Sequence, residues 1–367
     1  MDVFIRFANR PRCFAGPEQI LQCHEPGELP AAFAAMERAL ARGRHLAGFL
    51  AYEAGYAFEP CLRALCPQRD YPLLQFGIYG PPRQTMPVPR PDNPFIARSF
   101  SFLLDRPAYN QRITAIRRHI ARGDVYQVTF CNKLRFNWQG DPVHALHDLH
   151  ARQPVPYAAY VRDDSQTIVS LSPERFLVKQ GTRLLTEPMK GTWPRGETRA
   201  ADRAARQSFA RDAKNRAENI MIADLLRNDL GRIGHTVRAP KLCTITPYRT
   251  LFQMTSTVTA RCARTLPLCE LFAALFPSGS VTGAPKIMAM EIIRELEPEP
   301  RHIYTGAIGW ITPQRDLYFN VPIRTLLLRG TCGEMGVGGG IVWDSTADGE
   351  WAEQVLKAGF LTGPLPG

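Results

Sequence analysis

A proline-rich stretch is the strongest local constraint on how this chain can fold. Residues 81–94 contain six prolines in 14 positions. Because proline fixes φ and lacks a backbone donor, neither a helix nor a central strand can run through this stretch. We therefore predict an N-terminal α/β region over 1–95 and a longer region over 96–367. A chain of 367 residues can also interlace two such regions in one globule.

Helical periodicity and strand alternation follow each other irregularly after residue 96. Ile113, Ile116 and Ile120 recur at helical spacing, whereas the segments TIVSLSPERFLVKQG and TRLLTEPMKGT alternate as strands do. Runs of strands interrupted by several helices are typical of α+β proteins and not of regular βαβ repeats. The sequence therefore predicts an α+β fold.

Charge and cysteine usage limit the class of protein. The net charge of +11 suits either nucleic acid or an anionic metabolite as partner. The basic residues are spread along the chain, so a nucleic-acid-binding protein is the distant alternative. The nine cysteines form no CxxC pair, which indicates reduced thiols in a cytoplasmic protein. No apolar run reaches the ~18 residues that a membrane helix needs, so we expect no membrane partner.

Two acidic positions are candidate metal ligands. Glu218 lies in line with an apolar helical stripe, where a carboxylate needs a cation or donor; an exposed first-turn glutamate explains the pattern equally well. Glu353 and Lys357 are four residues apart, as in a surface ion pair. In the functional interpretation, Glu353 holds a metal and Lys357 faces a substrate carboxylate. Carboxylate ligands shared with an anionic substrate suit Mg²⁺.

A lysine and a carboxyl on neighbouring predicted strands form a candidate catalytic pair. Lys190 follows one strand, and Glu174 lies 16 residues earlier. A lysine desolvated in a cleft can be neutral and nucleophilic, and a carboxyl partner can transfer protons. An ion pair at a strand edge is the alternative.

Two glycine-containing segments are candidate anion sites. GVGGGIV is predicted to be a turn that leads into a strand, and PSGSVTGAPK leads into a helix with Pro285 near its first turn. Both shapes bring backbone N–H groups close to an anion. Tight structural turns remain the alternative.

Together these segments resemble the ordered signature blocks of the chorismate-utilising enzymes. This family contains anthranilate synthase component I, aminodeoxychorismate synthase component I, isochorismate synthases and salicylate synthases. The blocks span roughly 105–360, in the order SPERF, TEPMKGT, AENIMIADLLRNDLG, TSTVTA, FPSGSVTGAPK, IYTGAIGW, FNVPIRT, GVGGGIVWDS and EWAEQVLK. The resemblance implies two β-sheets packed across each other with flanking helices, as in anthranilate synthase component I. It also implies that 96–367 is the catalytic, chorismate-binding region.

The resemblance further implies a set of site residues. Mg²⁺ would be held by Glu218 and Glu353. Lys190 would be the nucleophile, and Glu174 the general acid and base. The positions expected to bind substrate are Gln127, Thr192, Thr282, Gly283, Tyr304, Arg324, Gly338, Gly339, Gly340 and Lys357.

Two of these positions distinguish the reactions within the family. Gln127 matches a lysine that activates water in isochorismate and salicylate synthases, so water addition is disfavoured. Lys190 matches the lysine of aminodeoxychorismate synthases, where anthranilate synthases have a small residue. The resemblance therefore implies amination of chorismate at C4, on the route to p-aminobenzoate and folate. Anthranilate synthase component I is the closest alternative.

One position departs from the family pattern, and one partner is implied. Gln253 stands where many relatives have histidine; it can donate a hydrogen bond but cannot titrate. We recognise no amidotransferase domain in the sequence. We therefore expect ammonia from a separate glutamine amidotransferase subunit, or from free ammonium.

Overall fold

Two antiparallel β-sheets form the centre of the computed structural model, which describes residues 1–67, 70–84, 92–248 and 251–363. The strands are β1 (Asp2–Phe7), β2 (Arg10–Phe14), β3 (Gln19–Cys23), β4 (His45–Leu50), β5 (Leu74–Tyr79), β6 (Ile96–Phe102), β7 (Gln127–Gln139), β8 (Tyr157–Arg162), β9 (Thr167–Ser172), β10 (Arg175–Gln180), β11 (Arg183–Glu187), β12 (Met189–Pro194), β13 (His235–Pro247), β14 (Leu251–Arg261), β15 (Gly283–Ala284), β16 (Ala307–Ile311), β17 (Leu317–Asn320), β18 (Thr325–Arg329) and β19 (Cys332–Ile341).

The helices lie outside the sheets, and several begin with a side-chain cap. They are α1 (Leu29–Ala41), α2 (Ala54–Phe58), α3 (Arg106–Arg122), α4 (Pro142–Arg152), α5 (Arg199–Arg211), α6 (Ala213–Gly231), α7 (Leu268–Leu275), α8 (Lys286–Leu296) and α9 (Ala347–Thr362). Helix α3 has a side-chain cap at its start and a glycine at its end. Asp105 accepts a hydrogen bond from the N–H of Ala108, and Gly123 ends the helix at φ 80°.

Both sheets combine strands from the two ends of the chain. One has the order β15-β7-β19-β18-β9-β8-β1-β2, with β6 also on β7. The other has the order β12-β14-β11-β10-β17-β16-β4-β5-β3, with β13 also on β14. The structure thus places strands of 1–95 in each sheet beside strands of 96–367. Residues 85–91 of the proline-rich stretch lie outside the described residues.

The two sheets pack face to face through a buried apolar layer. Val3, Ile5 and Leu327 of one sheet belong to the same core cluster as Phe49 and Ile308 of the other. The outer faces are covered by α1, α6 and α7 on one sheet and by α3, α4, α8 and α9 on the other. The predicted α+β architecture of two sheets packed across each other with flanking helices is therefore confirmed.

One local prediction was wrong. The segment GVGGGIV was expected to be a turn, but Gly336–Ile341 pair residue by residue with β7 inside β19. Long-range pairing with a neighbouring strand overrides the local preference of glycine for turns. No helix in the described parts of the chain is long and apolar enough to cross a membrane.

Candidate active site

The Lys190 side chain extends from one sheet to the other. Lys190 lies on β12, opposite Met254 of β14. Its amine nevertheless lies beside β19 of the second sheet, since a Cβ atom at Gly340 would be 3.2 Å from Lys190 Nζ. The candidate site therefore lies between the two sheets, where a glycine leaves room for the amine.

The surroundings of Lys190 favour its neutral form. Burial lowers the pKa of the Lys190 amine, and the positive charge of Lys357 lowers it further. The carboxylates of Glu218, Glu174 and Glu353 act in the opposite direction, but the pKa still falls below its ordinary value. The structure thus brings together the predicted nucleophile, its carboxyl partner and both predicted metal ligands.

Glu174 is a buried carboxyl held at the start of β10. Its side chain is 4% exposed and accepts a 2.5 Å hydrogen bond from Ser280 Oγ. Burial raises the pKa of Glu174 to about 7, and the bond from Ser280 and the charge of Lys190 limit that rise. Arg175 pairs with Glu187 across the β10–β11 hairpin, so β12, which follows, begins close to Glu174.

The predicted metal ligands come from two helices. Helix α6 begins at the cap Asp212 and presents Glu218, whose pKa is raised by burial against the opposing charges of Lys190 and Lys214. Glu353 lies on α9, is half-exposed and forms a 2.6 Å ion pair with Lys357. Burial acts to raise the pKa of Glu353, but the charge of Lys357 brings it below the ordinary value.

This donor set fits a Mg²⁺ ion that shares its coordination with other ligands. Glu353 raises the pKa of Glu218, so the two carboxylates lie near enough to repel each other. Among the described residues, no group of three or more histidine, cysteine, aspartate or glutamate side chains could hold a metal by itself. Mg²⁺ commonly takes one or two protein carboxylates and completes its shell with water and substrate oxygens.

The glycine segment of β19 has a free backbone edge. Strand β18 pairs with β19 only as far as Met335, whereas β7 pairs with it as far as Ile341. The carbonyl of Gly338 accepts a 2.5 Å hydrogen bond from Lys357 Nζ, so the backbone polar groups of Gly338 face the free edge. The N–H and C=O groups of one strand residue point to the same side, and successive residues alternate. The N–H groups of Gly338 and Gly340 therefore face the free edge, and the N–H of Gly339 faces β7.

The predicted residues Thr282 and Gly283 adjoin the other edge of β7. Gly283 pairs with Val128, and its φ of 154° together with the 2.2 Å approach of a Cβ to the Gln127 carbonyl requires glycine. Thr282 is fully buried, and its hydroxyl donates to the carbonyl of Ser278. This hydroxyl is therefore already engaged within the protein.

Arg324 and Gln253 line a small cavity at the start of β14. Burial lowers the pKa of Arg324 to about 10, and the described residues provide no carboxylate within ion-pair distance. Gln253 Oε1 is buried without a hydrogen-bond partner. Thr192, which pairs with Gln253 across the strands, is exposed. An unpaired guanidinium is suited to bind an anionic ligand, whereas the Gln253 oxygen can accept from a donor group.

Gln127 lies beside the Lys190 amine, whereas Tyr304 packs at a different glycine of β19. Both polar atoms of the fully buried Gln127 amide lack partners, and a Cβ at Gly340 would lie 2.3 Å from Gln127 Nε2. Gln127 therefore faces the same space as Lys190. The Tyr304 ring packs against Gly336 of β19, and the charged groups that act on it most strongly are Arg301 and Glu297.

Two residues near the site were missed by the sequence reasoning. Ser280 bonds to Glu174, and Glu350 Oε2 would lie 3.1 Å from a Cβ at Gly339. Ser280 lies inside the block FPSGSVTGAPK, and Glu350 is one helical turn before Glu353 on α9. The spacing of Glu350 could have revealed it, whereas the contact of Ser280 depends on the tertiary fold.

Comparison with known families agrees with this geometry. The family model described as chorismate binding enzyme matches residues 82–363. The chain belongs to this family. The membership predicted from the signature blocks is thereby confirmed, and this family member shares long stretches with curated relatives of two kinds.

The relatives include both amination branches. Aminodeoxychorismate synthase component 1 of Salmonella typhimurium is 37% identical over 266 residues, which cover 71% of this chain and 58% of that protein. Anthranilate synthase component 1 of Methanothermobacter thermautotrophicus is 35% identical over 263 residues, 71% of this chain and 57% of that protein. The matches thus span a little over half the length of these relatives.

A solved structure supports the fold over nearly the whole chain. Anthranilate synthase component I from Streptococcus pneumoniae superposes with a TM-score of 0.84 at 23% identity. The superposition covers 99% of this chain and 92% of that one. The two-sheet architecture is therefore shared, including the strands that precede the family match.

Proposed function

We propose that the chain is component I of an aminodeoxychorismate synthase and aminates chorismate at C4. The observation that carries the proposal is the position of the Lys190 amine between the two sheets, with a lowered pKa and with Glu174 as neighbour. A neutral amine is a nucleophile, and a carboxyl whose pKa is about 7 can both give and take a proton near neutral pH.

The proposed reaction has two halves. Neutral Lys190 adds at C2 of chorismate, the ring double bonds shift, and the C4 hydroxyl leaves as water with the proton of Glu174. Ammonia then adds at C4, the double bonds shift back, and the bond between C2 and the lysine breaks to restore the neutral amine. The new C4 ammonium returns a proton to Glu174. The sum is chorismate plus ammonia giving 4-amino-4-deoxychorismate plus water.

The remaining predicted residues would bind and orient the substrate. Glu218 and Glu353 would hold Mg²⁺, which when bound neutralises and anchors the ring carboxylate. Lys357 and Arg324 supply positive charge for the substrate carboxylates, and the outward N–H groups of Gly338 and Gly340 supply donors. Gln127 can donate and accept hydrogen bonds but cannot act as a general base, which disfavours attack by water.

The nitrogen source would be a glutamine amidotransferase that is a separate subunit, or free ammonium. The relative from Salmonella typhimurium is called component 1, which supports a separate partner component. The product would need a lyase to give p-aminobenzoate.

Incubation with chorismate, Mg²⁺ and ammonium tests the reaction. We expect a product that becomes p-aminobenzoate only after a lyase is added. Direct formation of fluorescent anthranilate would contradict C4 amination and favour the anthranilate branch.

Covalent capture tests the nucleophile. Mass spectrometry of the enzyme with chorismate and no ammonia should reveal an adduct that Lys190→Ala abolishes. Lys241→Ala, which removes an exposed lysine of β13, is the matched control and should retain the adduct. An adduct that survives in Lys190→Ala would exclude this lysine as nucleophile.

A further inference from the structure

A chain of two buried hydroxyls ends on the Glu174 carboxylate. Ser280 Oγ lies 2.5 Å from Glu174 Oε1, and Ser278 Oγ lies 2.9 Å from Ser280 Oγ. Ser278, Ser280 and Glu174 are 3%, 4% and 4% exposed. These three side chains are therefore shielded from bulk water. The two serine hydroxyls donate their protons within the chain Ser278, Ser280 and Glu174.

The ionised form of Glu174 fixes the direction of the chain. A carboxylate can only accept, so Ser280 donates its single hydroxyl proton to Glu174. Ser280 must then accept from Ser278, so Ser278 is the donor in the second bond. The backbone of Ser278 is itself fixed, because its carbonyl accepts bonds from Thr282 Oγ1 at 3.0 Å and from Val281 N at 3.1 Å.

We propose that Ser278 is a positioning residue that commits the Ser280 hydroxyl to Glu174. Ser278 does not contact the substrate, and the proposal rests on the function of Glu174 proposed above. By donating to Ser280, Ser278 occupies a lone pair of that oxygen and strengthens the bond that Ser280 donates onward. The chain thereby stabilises the carboxylate form of a side chain that burial pushes toward the neutral acid.

Few other charges reach Glu174. Lys190 of β12 is the charged group that acts on it among the described residues, and the N–H of Met189 is a further donor. The adjacent Arg175 is directed instead to Glu187, at 3.0 Å. Loss of the Ser278 hydroxyl should consequently raise the pKa of Glu174 without changing any ion pair.

The test compares Ser278→Ala with Ser278→Thr, which keeps the hydroxyl. The ionisation of Glu174 is followed in the substrate-free protein by infrared difference spectroscopy of its carboxyl band, with Glu174→Gln to identify that band. We expect Ser278→Ala, and Ser278→Gly as a second deletion of the hydroxyl, to raise the midpoint by about 0.2–0.6 pH unit. Ser278→Thr should restore the wild-type midpoint.

The test of Ser278 does not depend on the amination reaction. The infrared titration needs no substrate, so its result stands even if the chain does not aminate chorismate. An unchanged midpoint in both Ser278→Ala and Ser278→Gly would overturn the positioning role. If chorismate is aminated, the pH limb of kcat that follows Glu174 should move with the infrared midpoint, whereas a merely structural role would lower kcat without moving that limb.

Discussion

Replacement of Glu174 by glutamine should make the protein more stable at alkaline pH. Burial raises the pKa of Glu174 from 4.5 to about 7 in the folded protein. The folded state therefore binds a proton more tightly than the unfolded state, and the carboxyl destabilises the fold increasingly as pH rises from about 4.5 to 7. Glutamine keeps the shape and an acceptor for Ser280 but never becomes charged.

The size of the effect follows from the two pKa values. With 1.36 kcal/mol per pKa unit, the destabilisation by Glu174 is about 0.8 kcal/mol at pH 5 and about 3.3 kcal/mol at pH 8. The free energy of unfolding of Glu174→Gln, measured relative to the wild type, should therefore rise by about 2.5 kcal/mol between these pH values. Comparison of two pH values cancels any pH-independent cost of the substitution.

Urea unfolding at pH 5 and pH 8 measures this difference directly. Glu295→Gln is the control, since this glutamate is exposed on α8 and its replacement should leave the pH dependence as in the wild type. If Glu174→Gln and the wild type lose the same stability between pH 5 and pH 8, the reasoning from burial is wrong. Loss of catalytic activity in the same variant would show that a destabilising carboxyl is retained for its chemistry.

Three further predictions concern the surrounding structure. Arg301→Met should lower the free energy of unfolding in urea by about 3–5 kcal/mol, because it leaves the buried carboxylate of Glu297 without its 2.6 Å partner. Gly340→Ala should lower kcat/KM by about tenfold or more, since its Cβ would lie 2.3 Å from Gln127 Nε2 and 3.2 Å from Lys190 Nζ and would displace both groups. Glu218→Gln should weaken Mg²⁺ binding, measured by calorimetry on the substrate-free protein, and with it the Mg²⁺ dependence of activity.

The parts of the site that short-range patterns define could be predicted from the sequence. Glu174 and Lys190 were expected on neighbouring strands, and the β10–β11 hairpin brings them together through the pairing of Arg175 with Glu187. Hairpins are local, so their register follows from alternation and the intervening turn. The placement of Glu218 on a helix likewise follows from apolar periodicity.

Features that depend on distant strands could not be predicted in this way. The Gly338–Gly340 segment is a strand because β7 pairs with it, and its composition alone suggested a turn. The bond between Ser280 and Glu174 joins residues 106 positions apart. No spacing within one segment reports such contacts, because they are set by the order of strands in the two sheets.

The position of β4 has a consequence for synthesis on the ribosome. This strand is internal to its sheet: β5 flanks it on one side, and β16 pairs with it on the other through Phe49 and Ile308. A nascent chain therefore carries β4 with one open edge until residues 307–311 have left the exit tunnel. Unpaired apolar edges favour aggregation, so the growing chain exposes an aggregation-prone edge for most of its translation.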